Sequence, residues 1–183
     1  MIKPWQKIDS KQVGKFRIFT IRQDFKISPR TGEHHNFFVL DCPDWVNVIA
    51  VTSDRQLVMI EQFRQGTNTV ELEIPGGIID AKDPSPMAAG IRELREETGY
   101  EGEQPRMIGK IFPNPAIMSN TCHTLMVQNA QLKHPSEWDC GEDIITRLVP
   151  VADIPELIKT GQIRHSLVVV ALYHFELLGR AEH

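Results

Sequence analysis

No run of lysines or arginines occurs in the 183-residue sequence, and its formal net charge is −4. That balance argues against broad binding to nucleic acid or an anionic membrane, which needs a concentrated basic face. No apolar stretch is long enough to span a bilayer, and Met1–Lys7 lacks the apolar core of a signal peptide. Cysteine is scarce. Cys42, Cys122 and Cys140 are scattered, cannot all pair and have no metal-ligand spacing, which points to a reducing compartment. A cytoplasmic location is the expectation. The histidines form no His-x-x-x-His or comparable pair, so His123 and His165 read as structural or at most substrate-contacting. Internal repeats and low-complexity tracts are absent too. What is there is ordinary for a globular chain: 41 % hydrophobic and 24 % charged residues, long enough for one domain with a substantial core.

One stretch organises the rest. Gly76-Gly77 leads through Asp80, Asp83 and Ser85-Pro86 into Arg92-Glu93-Leu94-Arg95-Glu96-Glu97-Thr98-Gly99-Tyr100. It reads as a glycine turn, a loop, and a helix of about four turns. Ser85 suits the N-cap, Pro86 the first helical position, and Gly99 the left-handed residue that closes a helix. Met87, Ile91, Leu94 and Thr98 recur at helical spacing and are expected to face a core. Arg92, Glu93, Glu96 and Glu97 then fall on the opposite side. Glu93 and Glu97 are one turn apart, and like charges at that spacing destabilise a helix by about 0.2–0.5 kcal/mol. Arg92 can answer Glu96, but nothing in the helix answers Glu93 and Glu97 together. A divalent cation would, and hard oxygen ligands suit magnesium, with manganese as a substitute. A solvated, salt-bridged helix face is the other reading of the charges alone.

The pattern Arg92-Glu93-Leu94-x-Glu96-Glu97-x-Gly99-Tyr100, preceded by Gly77, resembles the Nudix box of hydrolases acting on nucleoside diphosphates linked to another group. It departs from that box in three ways. Asp83 stands in place of the first glutamate, the gap from there to Arg92 is one residue longer, and the last position is Tyr100. Upstream, Glu61-Gln62-Phe63-Arg64 and Glu71-Leu72-Glu73-Ile74-Pro75-Gly76-Gly77 resemble the ADP-ribose pyrophosphatase branch.

This resemblance implies magnesium-dependent cleavage of ADP-ribose or another nucleoside diphosphate sugar to a nucleoside monophosphate and a sugar phosphate. It implies metal binding by Gly76, through its carbonyl, and by Glu93, Glu96, Glu97 and Glu142. The implied catalytic set is Arg92, Glu96, Glu97 and Glu142, with Arg92 orienting the glutamates. Glu142 sits in an acidic loop, Glu137 to Asp143, where the branch supplies a base or an additional ligand; Asp139 is the substitute candidate. Arg64, Glu71 and Trp45 are the implied substrate-binding residues. Arg64 matches a phosphate-binding arginine, against the alternative of a surface salt bridge, and Trp45 or Phe37 can stack a purine or simply belong to the core. The branch also implies a homodimer through N-terminal strands. A non-catalytic Nudix-fold module that binds nucleotide sugars is the competing function.

The remaining segments set the expected architecture. Lys15–Ile27 and His34–Leu40 form an N-terminal β-hairpin around the turn Ser28-Pro29-Arg30-Thr31-Gly32-Glu33. Trp45–Thr52, Gln56–Arg64, Val70–Ile74, Arg106–Phe112, Cys122–Gln128 and Ile144–Val151 read as strands, and Ile154–Thr160 and Ser166–Leu178 as helices. Strands with few helices and no regular alternation predict an α+β fold. The resemblance implies that this is a Nudix-type α/β/α sandwich with a mixed sheet. The expected division is a hairpin region over 1–43 and a Nudix domain over 44–183.

Overall fold

The computed structural model describes residues 1–138, 141 and 143–181. The chain divides into two compact units, Met1–Asp44 with Phe112–Thr121, and Trp45–Ile111 with Cys122–His183.

The smaller unit is an antiparallel sheet in the order β1 (Gln6–Lys15), β2 (Thr20–Ile27), β3 (His34–Asp41). The expected hairpin is β2–β3, closed by Gly32 at φ +76°. Lys15–Ile27, which reads as one strand in the sequence, is not continuous. The chain reverses between Phe16 and Phe19, where the Phe16 N–H donates to the Phe19 carbonyl, and β1 adds a third strand. β1 is almost wholly exposed, so it has no buried face to produce the alternation that reveals a strand. Asp24, by contrast, is buried to 1 % exposure on β2, with Ser10, Arg22 and Lys26 around its carboxylate.

The larger unit holds two sheets. One is mixed, in the order β7 (Gly76–Ile78), β4 (Trp45–Ala50), β9 (Cys122–Leu132), β8 (Tyr100–Ile111), with β4 and β9 parallel. The other is antiparallel, in the order β10 (Ile144–Pro150), β5 (Gln56–Arg64), β6 (Thr69–Glu73). Alternation along these strands builds two cores, because successive side chains leave a strand on opposite faces. Val46, Val48, Val58, Leu125 and Val127 pack with Ala89 and Leu94 of α1 (Pro86–Thr98). Ile49, Val51, Leu57, Met59 and Met126 pack with residues of α2 (Ile154–Lys159) and α3 (Ser166–Ala181). The α/β/α layering expected of the fold is therefore present. Each fully buried Leu or Val in these layers contributes about 1.5–3 kcal/mol.

Two details of the central stretch differ from expectation. Gly76–Ile78 is not a free turn but a short strand, paired antiparallel with β4 at Gly76–Asn47 and Gly77–Val46. The core face of α1 is also rotated. Ala89, Gly90, Leu94, Glu97 and Thr98 are buried, while Ile91 is 42 % exposed. Leu94 and Thr98 are buried and Met87 packs against the core as the spacing predicts, but the small residues Ala89 and Gly90 share that face and turn it away from Ile91. Glu97 consequently faces inward, not out to solvent.

Candidate active site

α1 is held at both ends as its sequence predicts. The Ser85 hydroxyl accepts the Ala88 N–H at 3.1 Å, and Gly99, at φ +74°, donates its N–H to the Arg95 carbonyl. Fixed this way, the helix lays two of its carboxylates on β7. Glu97, 3 % exposed, accepts the Gly76 N–H through Oε2 at 2.9 Å. Glu93 covers Gly77 so closely that a Cβ there would lie 2.6 Å from its Oε1. A Cβ on Gly76 would lie 2.3 Å from the Val46 carbonyl oxygen. Only glycines let this strand run between β4 and the glutamates.

Arg92 gathers the other acids. Its Nη1 donates to Glu93 Oε1 at 2.9 Å and to Glu96 Oε2 at 2.8 Å. Its Nε and Nη2 donate to Asp83 at 3.1 and 2.8 Å, and Nη2 also reaches the Ile78 carbonyl at 3.2 Å. Hydrogen bonding to Asp83, then to Glu96 and Glu93, keeps Arg92 firmly charged against the opposing effect of burial. The same guanidinium holds the Asp83 carboxyl below the usual carboxylate range. Asp83 thus serves as the partner of Arg92 and stands apart from the glutamates on β7.

Among the described residues no three His, Cys, Asp or Glu side chains converge on one point as a ready ligand set. The donor chemistry nonetheless fits a hard divalent cation. Three carboxylates leave the same helix, two of them lie against a backbone without side chains, and Arg92 bonds Glu93 and Glu96.

Beside β7 lies a cleft of about 290 Å³ whose walls include Trp45, Asn47, Arg64, Gly76, Gly77 and His165. Trp45, Arg64 and Gly76, singled out from the sequence, thus share one cavity. Arg64 does not extend freely into it. Its Nε and Nη2 donate to Glu73 at 2.7 and 2.8 Å, and Glu73 is 2 % exposed. Two buried polar atoms at this cleft have no hydrogen-bond partner among the described residues, Asn47 Nδ2 and His165 Nδ1, the latter 3.8 Å from Glu73 Oε2. Glu71 lies outside the cleft walls. It is 4 % exposed and is gripped by Arg164, with Nε at 2.9 Å and Nη2 at 2.8 Å, and by the Thr69 hydroxyl.

Asn47, Glu73 and Arg164 are site residues that the sequence does not single out. The available signal was β6 itself, where Glu71 and Glu73 are buried while Val70 is 62 % exposed. Acids on the inward phase of a strand need inward cations. Phe37 belongs to the smaller unit, where it packs edge-on against Trp5 at 5.3 Å, and His123 lies on β9 opposite Lys110.

The loop after β9 is fastened to the C-terminal end of α1, whose last carbonyls lack helical partners. The Lys133 and His134 N–H groups donate to the Gly99 carbonyl at 3.0 and 3.1 Å, and the Glu137 N–H to the Glu96 carbonyl at 2.7 Å. Trp138 Nε1 donates to the Glu97 carbonyl at 2.9 Å. The sequence candidates that follow, Asp139 and Glu142, lie outside the described residues.

The hydrogen bonds from Arg164 and Thr69 hold the Glu71 carboxyl down at about 2, against an ordinary 4.5. A depressed carboxylate stabilises the fold in full above its unfolded pKa, and that contribution drains away as pH falls from about 4.5 through about 2. The stability advantage of the protein over a Glu71→Gln variant is therefore expected to shrink across that interval. Urea unfolding at pH 7, 4 and 2.5 measures it; an advantage that stays constant with pH contradicts the assignment.

A family model described as NUDIX domain matches residues 43–170. Methanol dehydrogenase activator of Bacillus methanolicus is 28 % identical over 96 % of this chain and 95 % of its own. ADP-ribose pyrophosphatase of Bacillus subtilis (strain 168) is 24 % identical over 94 % and 95 %, respectively. GDP-mannose pyrophosphatase of Escherichia coli O1:K1 is 25 % identical over 84 % and 85 %. A crystal structure of an ADP compounds hydrolase superposes with a TM-score of 0.87 over 100 % of this chain and 97 % of that one; at 20 % identity this likeness concerns the fold. With the family model spanning most of the chain and the box seated on α1 against β7, the chain belongs to the Nudix family.

Proposed function

We propose that the chain uses magnesium, or manganese in its place, to hydrolyse the pyrophosphate bond of ADP-ribose or another nucleoside diphosphate sugar. Water oxygen forms a new bond to one phosphorus, the bridging P–O bond breaks, and nucleoside monophosphate and sugar phosphate leave. The observation that carries this reading is the pressing of Glu93 and Glu97 onto the side-chain-free strand Gly76-Gly77. Relatives named for ADP-ribose and GDP-mannose hydrolysis support the substrate class.

In this reading Glu93, Glu96, Glu97 and the Gly76 carbonyl would hold divalent cation, with Glu142 as a further ligand or the base. The ion would offset the charge of the diphosphate and lower the pKa of a bound water. Arg92 orients Glu93 and Glu96 through its two short bonds. Arg64, whose Nε and Nη2 are held by Glu73, lines the cleft where a phosphate would lie. Asn47 Nδ2, which has no hydrogen-bond partner among the described residues, can donate to a substrate oxygen. Trp45 lines the same cleft and would stack a base there. Three scattered cysteines, Cys42, Cys122 and Cys140, which cannot all pair and have no metal-ligand spacing, suit a reducing compartment, and a cytoplasmic enzyme is proposed on that ground; among the described residues no helix is long and apolar enough to cross a membrane.

The engagement of Glu93 and Glu96 by Arg92 favours a second reading, a module that binds nucleotide sugars without cleaving them. A panel of ADP-ribose, GDP-mannose and related compounds, with and without magnesium, separates the two. Magnesium-dependent release of phosphatase-sensitive phosphate is expected. Tight binding of the same compounds with no product would support the module instead, and neither binding nor turnover rejects both.

A homodimer through the N-terminal strands is also proposed. β1 and β3 are sheet edges, and Phe16, Ile18 and Phe38 of this unit are each more than half exposed, at 54, 58 and 56 %. An edge strand such as β1 and exposed apolar side chains are what a partner strand covers. Sedimentation at micromolar concentration is expected to give a dimer; a monomer contradicts it.

A further inference from the structure

Next to the cleft, and sharing Arg64 and His165 with it, is an open basin of about 720 Å³. Its remaining polar walls include Thr67, Thr69, Arg164 and Ser166. Apart from the shared Arg64, the reaction proposed above uses none of its walls. Its acid is turned inward: the side chain of Glu71 is 5 % exposed, whereas that of Arg164 is 56 % exposed. An incoming group therefore meets the cation first and the anion only behind it. Arg164 spends Nε and Nη2 on Glu71, an arrangement that fixes the guanidinium plane and leaves Nη1 without a contact among the described residues. A pre-oriented guanidinium loses less freedom on binding than a mobile one.

The other walls have the same sense. α3 begins at the basin: the Val169 N–H bonds to the His165 carbonyl, so the N–H groups of the first helical turn have no carbonyl within the helix. That turn contains no acidic residue to occupy them. A helix start of this kind favours negative charge. Ser166 and Thr67 add hydroxyls. On the cleft side, Arg64 links the basin to Gly76 and Gly77, so one extended molecule can lie along both cavities.

We propose that this basin is a subsite for a further anionic group, phosphate or carboxylate, carried by the substrate outside its pyrophosphate bridge. Arg164 is the residue that selects it. The inference rests on the nucleotide-sugar reading of the cleft, and it narrows that reading to substrates with a third negative centre.

Two matched substrate pairs test it. UDP-glucuronate and UDP-glucose differ by a carboxylate on the sugar, and 2′-phosphorylated ADP-ribose and ADP-ribose by a phosphate on the nucleoside. For at least one pair, the anionic member is expected to show a KM about tenfold lower. In the double variant Arg164→Gln, Glu71→Gln, which leaves no buried carboxylate unpaired, that ratio is expected to fall to about one. Circular dichroism and thermal unfolding establish that the variant is folded. Which pair responds identifies carboxylate or phosphate as the group. A neutral member equal to or better than its anionic partner in both pairs overturns the subsite, as does an advantage that survives the double variant. Should none of the four compounds be hydrolysed, the reaction reading fails by itself. Calorimetric binding of the same pairs to both proteins then decides the subsite by the same ratios.

Discussion

Glu97→Gln is expected to lower kcat by about a thousandfold while the protein remains folded. Glu97 is the acid that the helix buries, at 3 % exposure, and one of its oxygens accepts the Gly76 N–H. Glutamine keeps an acceptor of the same shape for that N–H, so the seam between α1 and β7 survives and stability changes by about 1 kcal/mol at most. What glutamine lacks is the charge. On the proposed reaction the site neutralises a diphosphate and holds a divalent ion, so losing a ligand charge would cost several kcal/mol of transition-state stabilisation, and each 1.36 kcal/mol is about tenfold in rate. Steady-state kinetics at saturating magnesium, paired with thermal unfolding, measure both sides. Unchanged turnover would remove Glu97 from the reaction; a collapsed melting curve would mean that its role is structural.

Gly76→Ala and Gly77→Ala should fail for different reasons, although the two residues are adjacent. A Cβ on Gly76 meets backbone, 2.3 Å from the Val46 carbonyl oxygen and 2.9 Å from the Asn47 Cα, so β7 must separate from β4. About 3 kcal/mol of stability and roughly 10 °C of melting temperature are expected to go with it. A Cβ on Gly77 meets the Glu93 carboxylate first, with Oε1 at 2.6 Å. That is the end of a movable side chain, so the fold tolerates the change and Glu93 swings away. Activity is expected to drop by at least about a hundredfold with the melting temperature nearly unchanged. Reversal of the two phenotypes would show that the strand, and not the carboxylate, is what these glycines serve.

Much of α1 is legible in the chain's own residues, because its signals are local. Ser85, Pro86 and Gly99 act within one turn of themselves, and the spacing of Glu93, Glu96 and Glu97 is fixed by the helix repeat. The strands of the two core layers are legible for a similar reason. Val46, Val48, Leu57, Val58 and Met59 are buried, and burial writes itself into the sequence as apolar residues. β1 is illegible since it buries nothing, and the inward phase of β6 is illegible because acids occupy it.

The partners of the charged residues are the least legible part. Arg64 with Glu73 and Arg164 with Glu71 join residues 9 and 93 positions apart, and no periodicity links them. Arg64 has features of both readings that its sequence position allows, an ion pair with a buried acid and a wall of the cleft beside Gly76.

By itself the sequence determined the helix, its caps, the row of carboxylates and the family, since all of these depend on residue type at short, fixed offsets. Only the tertiary structure decided which carboxylates face β7, which arginine each buried glutamate holds, and that a basic basin opens beside the cleft. Those depend on strand pairing and helix rotation, and such long-range geometry is set by the sum of many packing contacts, none of them written in any single stretch of chain.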